Sequence, residues 1–146
     1  MRVLVVLVFF VFGGTVACGD CTDMACISGF SVRVSKAQGP IDASSVHLAF
    51  GDRDVTCDLD PTGDGSASCS DRNVEAVQVC SAIGCAQGND IFIEVVGAVP
   101  DEVFVELRGG ADAEGRMFPL AFEDFELEDT CGEGCRRADL VMSVDE

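Results

Sequence analysis

The chain lacks tryptophan and tyrosine, and it has a single histidine, His47, among its 146 residues. Sugar sites usually stack their ligands on flat aromatic side chains, so the lack of Trp and Tyr argues against one. A histidine-centred triad would depend on His47 alone, and its place between Val46 and Leu48 indicates the polar face of a strand. The motifs HExxH, GxSxG and GxxxxGK[ST] are also absent. The sequence therefore predicts a protein that is not an enzyme.

Positive charge is scarce as well. Nine Lys and Arg residues stand against 26 Asp and Glu, which gives a formal net charge of −17. Binding to nucleic acid would cost repulsion and release no counterions, so we expect no nucleic-acid partner. A cationic ligand or a divalent metal is electrostatically easier to bind, although acidity by itself also serves solubility.

The N-terminus has the order of a secretion signal. Arg2 precedes the apolar run 3–12, and small residues follow from Gly13 to Ala17. The last residues, Thr15-Val16-Ala17-Cys18, resemble the lipobox of bacterial lipoproteins. That resemblance implies removal of residues 1–17, palmitate-type acylation of Cys18, and anchoring in a bilayer of the cell envelope.

Cysteine parity supports the same cleavage site. The chain has nine cysteines, and assigning Cys18 to lipid leaves eight, an even number for an oxidising compartment. Two alternatives remain open: a short membrane-spanning helix over residues 3–19, and ordinary cleavage after Ala17 without acylation. Gly19 stands where an aspartate would mark inner-membrane retention, so the expected location is the outer membrane.

Removing residues 1–17 takes away Arg2 and no acidic residue, so the mature chain has a formal charge of −18. We expect residues 18–26 to form the lipidated N-terminus and a short tether, and residues 27–146 to form one domain.

Apolar residues in that domain recur with period two, which is typical of half-buried strands. The clearest sets are Phe30, Val32, Val34; Val46, Leu48, Phe50; Ile91, Ile93, Val95; Val103, Val105, Leu107; and Leu140, Met142, Val144. Less regular strands are expected around 74–79 and 118–122. Turn signals at about ten-residue spacing separate them, so we predict an all-β, antiparallel, immunoglobulin-like β-sandwich of seven to nine strands, stapled by disulfides.

Spacing suggests cysteine pairs among 105 possible connectivities. Cys57 and Cys69 flank a hairpin turn, and Cys80 and Cys85 bracket a small loop. In an immunoglobulin-like sandwich the first and last strands often run parallel and adjacent, which would pair Cys21 and Cys26 with Cys131 and Cys135. The rival arrangement is Cys21 with Cys26 and Cys131 with Cys135. The CxxxxC and CxxxC spacings do not match zinc knuckles.

An acidic turn within the 57–69 hairpin is the best ligand signal. Asp58, Asp60 and Asp64 alternate ahead of Gly65, which resembles the start of a calcium loop. Cys69 stands where the bidentate glutamate of such a loop belongs, and this mismatch favours an acidic hairpin turn. In the alternative, Asp58, Asp60 and Asp64 are candidate calcium ligands.

With the closing segment from Cys131 to Met142, the chain resembles the small cysteine-rich bacterial lipoproteins, which are regarded as non-enzymatic. The predicted function is a membrane-anchored, non-catalytic binding or structural module without cofactor, whose partners are the bilayer and another envelope protein. The alternatives are a small hydrolase that uses carboxylates alone and a calcium-dependent adhesion module.

Overall fold

The computed structural model describes residues 27–60, 65, 67–79, 89–125 and 135–144. This part of the chain contains ten strands and no helix: β1 Gly29–Ser35, β2 Ser45–Phe50, β3 Arg53–Leu59, β4 Ala67–Cys69, β5 Val74–Val79, β6 Asp90–Val96, β7 Glu102–Arg108, β8 Gly115–Pro119, β9 Glu123–Phe125 and β10 Cys135–Ser143. Accordingly, the described residues include no helix long and apolar enough to cross a membrane.

The strands form two five-stranded sheets. Sheet I has the order β5-β6-β1-β10-β9, and sheet II has the order β4-β3-β2-β7-β8. The apolar phases of β1, β2, β3, β5, β6, β7 and β10 point between the sheets, as the period-two pattern predicts. Every residue of the five regular sets is buried except Leu140, which is partly buried, and the Phe30 ring packs edge-on against Phe50 at 5.3 Å between centroids. The all-β sandwich is therefore confirmed.

One pair of neighbouring strands is parallel. β1 pairs with β10 in parallel, from Gly29 opposite Arg137 to Ser35 opposite Ser143, and with β6 in antiparallel orientation. All other pairings are antiparallel. Parallel, adjacent first and last strands are the immunoglobulin-like feature expected from the sequence, and they place the starts of β1 and β10 at one end of the sandwich.

The expected strand over 118–122 is wrong in its limits. The chain forms β8 in sheet II up to Pro119, crosses between sheets over residues 120–122, and enters sheet I as β9 at Glu123. Proline lacks the N–H that a continuing ladder needs, so the strand ends there. The crossing divides the expected strand into two, and the described part of the chain has ten strands, one more than the upper expectation.

At the opposite end, the loop after β1 is bonded to the loop between β7 and β8. The Lys36 ammonium donates to both carboxylate oxygens of Asp112, at 2.9 and 2.8 Å, and the Asp42 amide donates to the same carboxylate at 2.7 Å. Gly109 lies in this loop at φ +70°, and a Cβ there would lie 2.1 Å from Ser44 Oγ. These contacts tie sheet I to sheet II.

Candidate docking face and other candidate sites

The outer face of sheet I carries a row of large side chains that runs across four strands. Val77 on β5 lies opposite Phe92 on β6, Phe92 lies opposite Arg33 on β1, and Arg33 lies opposite Val141 on β10. We call these four residues the cross-strand row. Neighbouring strands lie about 4.8 Å apart, so the row spans about 14 Å.

The apolar members of the row are exposed. Val77 is 45% exposed, Phe92 44% and Val141 60%, and these are half of the six large apolar residues that the described part of the chain exposes. The other three, Ile27, Val99 and Met117, lie at one end of the sandwich or on sheet II. Scattered apolar residues on a surface need no explanation, but an aligned row is a feature of interaction surfaces.

Arg33 completes the row without adding net charge to it. Its guanidinium lies over the Phe92 ring, 5.2 Å from the centroid, and its Nε donates to Asp90 Oδ1 at 3.1 Å. Asp90 is completely buried. A buried carboxylate requires a cation or strong donors, so Arg33 is held in place on the sheet, at a strand position between those of Phe92 and Val141.

Acidic residues border the row on one side. Two positions along each strand, the next row contains Glu75, Glu94, Ser31 and Asp139. We call Glu75, Glu94 and Asp139 the acidic border. Arg137 donates to Glu94 at 2.7 Å, and the Ser31 hydroxyl donates to Asp139 at 2.5 Å. The border therefore keeps excess negative charge beside the apolar row.

The sequence pattern contained a signal for this face that the strand prediction did not use. Phe92 lies between the buried Ile91 and Ile93, and Val141 lies between Leu140 and Met142, so each is an apolar residue on the polar phase of its strand. Their alignment into a row depends on the pairing of strands that are distant in sequence.

His47 lies on the outer face of sheet II between two carboxylates. Its Nε2 is 3.0 Å from Asp54 Oδ1, and its Nδ1 is 3.5 Å from Glu106 Oε2. In the described part of the chain, no Ser or Cys hydroxyl or thiol is hydrogen-bonded to either ring nitrogen. The arrangement joins β2 to its two neighbours, β3 and β7. His47 lies on the polar phase of its strand, as expected, and 13% of its side chain is exposed.

The acidic hairpin is described only in part. Asp58 lies on β3 opposite Ser45 and Ser68, and Asp60 follows the end of β3, whereas Asp64 lies outside the described residues. No three His, Cys, Asp or Glu side chains among the described residues form a group that could hold a metal ion. Because the calcium hypothesis needs Asp64, it stays a prediction.

Two of the expected cysteine features fall on described residues. Cys57 and Cys69 face each other across β3 and β4, with their Cα atoms 3.9 Å apart, and form a disulfide as the spacing predicts. Cys135 at the start of β10 is also disulfide-bonded. Cys18, Cys21, Cys26, Cys80, Cys85 and Cys131 lie outside the described residues, so the remaining pairs and the lipid attachment site stay predictions.

Two carboxylates with shifted pKa values occupy structural positions in loops. Burial raises the pKa of Asp112, but the Lys36 ammonium and the Asp42 amide outweigh burial and bring that pKa below its ordinary value. The Arg53 guanidinium and the Asn73 amide likewise lower the pKa of Asp71. Both carboxylates are satisfied by donors, and such groups fasten loops.

Comparison with known proteins adds no family to these observations, because no family model, curated protein or solved structure matches the chain.

Proposed function

We propose that the protein is a non-catalytic binding module of the bacterial cell envelope. Acylated Cys18 anchors it in the outer membrane, and the outer face of sheet I contacts another envelope protein. The cross-strand row is the observation that carries this proposal, because three aligned apolar side chains remain exposed although the core is filled without them.

The position of β1 supports the geometry of the anchor. Residues 18–27 reach at most about 32 Å when fully extended, so the domain stays close to the bilayer. β1 and β10 both start at the end nearest to Ile27. That end faces the bilayer, and the cross-strand row lies on the side of the domain, where a neighbouring envelope protein has access.

The exposed apolar members of the row support binding rather than catalysis. The row itself contains one titratable side chain, Arg33, and its charge is neutralised by the buried Asp90 carboxylate. Such a pair holds the surface in shape and offers no proton or nucleophile to a substrate.

The anchor is tested by mass spectrometry of the mature N-terminus. We expect a chain that begins at Cys18 and carries acyl groups on that residue. A chain that retains residues 1–17, or a Cys18 with a free thiol, would contradict the anchor.

The docking face is tested by chemical cross-linking in intact envelopes, followed by quantitative identification of co-purified proteins. The native protein is compared with Phe92→Thr and with Met117→Thr. Met117 is a matched control, because it is 55% exposed and lies on sheet II. We expect at least one envelope protein to depend on Phe92 and not on Met117; equal recovery with all three proteins would refute the docking face.

A further inference from the structure

We propose that the segment received by the cross-strand row is a basic amphipathic helix of the partner protein, laid across the strands of sheet I. This inference rests on the proposed function and specifies the chemistry of the partner. Two observations carry it: the spacing of the row and the acidic border beside it.

The spacing of the row favours a helix. The four positions follow each other at the distance between neighbouring strands, about 4.8 Å. Successive turns of an α-helix place side chains on one face every 5.4 Å or so, whereas same-face residues of an extended strand repeat at about 6.7 Å. Over the three steps from Val77 to Val141, the side chains on one face of a helix stay close to the positions of the row. The same-face side chains of an extended segment are displaced further from these positions at each step.

The acidic border sets the charge of that helix. Glu75 and Glu94 lie directly opposite each other on β5 and β6, and Asp139 continues the border on β10. Among the described residues, Glu94 alone in this border has an arginine as a partner, and Asp139 accepts a hydrogen bond from the Ser31 hydroxyl. A helix whose apolar side chains cover Val77, Phe92 and Val141 brings its flanking side chains over this border, where Lys and Arg are attracted and Asp and Glu are repelled.

Charge also separates this partner from the two other surfaces near an anchored domain. A second copy of the chain would present the same acidic border and the same net negative charge, so pairing of two outer faces would be repulsive. An anionic bilayer surface would meet the same repulsion. A basic segment is the occupant that the row and the border both attract.

Arg33 does not oppose a basic helix. Its guanidinium is bonded to Asp90, which lies on the side of the row away from the acidic border, and it is stacked on Phe92. The row therefore presents the Phe92 ring, Val77, Val141 and the partly exposed Arg33 side chain to a ligand.

The test measures the binding of two designed peptides to the acylated mature protein in phosphatidylcholine nanodiscs, with empty nanodiscs as the blank. Both peptides form amphipathic helices of about four turns with the same apolar face. One peptide has lysines beside that face and the other has glutamates. We expect the basic peptide to bind and the acidic peptide to bind at least tenfold more weakly, with the difference reduced at about 1 M salt.

Matched variants locate the binding on the protein. Phe92→Thr is expected to weaken binding of the basic peptide about tenfold, and Met117→Thr is expected to leave it unchanged. Glu75→Gln together with Asp139→Asn is expected to weaken binding several-fold, whereas Asp52→Asn in the β2–β3 turn serves as the charge control. Circular dichroism of each variant shows that it is folded.

Any of four results would overturn the inference: equal affinity for both peptides, equal losses with Phe92→Thr and Met117→Thr, Phe92-dependent self-association, or Phe92-dependent binding to phosphatidylglycerol vesicles. If a Phe92-dependent partner is recovered from envelopes while the basic peptide does not bind, the helix is wrong and the binding module stands. If no Phe92-dependent partner is recovered, the proposed function fails, whatever the peptides do.

Discussion

The two outer faces of the sandwich differ although the two inner faces are built alike. Each sheet directs alternate apolar residues into one shared core. On the outside, sheet II surrounds His47 with Asp54 and Glu106, and among its described residues one large apolar side chain, Met117, is exposed. Sheet I instead aligns Val77, Phe92 and Val141 beside carboxylates.

This difference separates residues needed for folding from residues available for binding. The residues of the inner phase form the hydrophobic core of both sheets. Folding therefore does not require the apolar residues on the outer phase of sheet I. The comparison predicts that substitutions on the inner and outer phases of one strand have separable effects.

The largest expected effect is on the inner phase of β6. Ile93 is buried and lies next to the exposed Phe92 in the chain. Ile93→Ala is expected to lower the free energy of unfolding by about 2–5 kcal/mol, because it leaves a cavity in the core. Urea unfolding measures the loss, and a similar loss for Phe92→Thr would erase the distinction between the two phases.

The next effect tests the disulfide of sheet II. Replacing Cys57 and Cys69 together by Ala is expected to cost about 2–4 kcal/mol, because the unfolded chain gains conformational freedom. The urea midpoint is the measurement. Since the bridge is remote from the cross-strand row, peptide binding under native conditions should persist; an unchanged midpoint would remove the structural role of this bridge.

A smaller effect on stability is expected to distinguish two carboxylates, one paired with Arg33 and the other with His47. Asp90 is buried on sheet I, and Asp54 is 78% exposed on sheet II. Asp90→Asn is expected to cost about 1–3 kcal/mol, because Arg33 loses a charged acceptor. Asp54→Asn is expected to change stability by less than about 0.5 kcal/mol, and equal melting temperatures for the two variants would contradict the contrast.

A fourth prediction sharpens the separation of stability from binding. Val141→Thr keeps the branched shape on an exposed position and is expected to change the free energy of unfolding by less than about 0.5 kcal/mol while weakening partner binding. Val32→Thr, the same substitution at a buried position of β1, is expected to cost about 1–3 kcal/mol. Thermal melting combined with the envelope cross-linking assay checks both, and normal partner recovery with Val141→Thr would count against the row.

The smallest effect concerns the loop contact that joins the sheets. The pKa of Asp112 is lower in the folded chain than its ordinary value of 3.8, so the stabilisation by its contact with Lys36 is present above that value. It is lost as the pH falls through the lower folded pKa. Asp112→Asn should melt lower at neutral pH and show a flatter acid dependence than the native chain; parallel acid curves would refute this role.

The sequence predicts the core well because alternation depends on local order alone. The buried phases of β1, β2, β6 and β7 follow directly from residues that are two positions apart. The break between β8 and β9 was missed, because the apolar residues Phe118, Leu120 and Phe122 alternate through a point where the chain changes sheets.

The candidate docking face is harder to predict from the sequence than the core is. Phe92 and Val141 are apolar residues at positions where the alternation predicts polar ones, and this exception is visible in the sequence. Their alignment with Val77 and Arg33 requires the register of four strands, including the parallel pairing of β1 and β10. The register between strands that are distant in sequence is set by packing in three dimensions, so it does not follow from the pattern of each strand alone.

The most direct test places a photoactivatable phenylalanine analogue at position 92 or at position 117 in cells and measures the cross-linked envelope protein at each position. We expect a discrete adduct from position 92 on sheet I and none from position 117 on sheet II. The same adducts from both positions, or none from position 92, would contradict the central claim that the outer face of sheet I is the docking face.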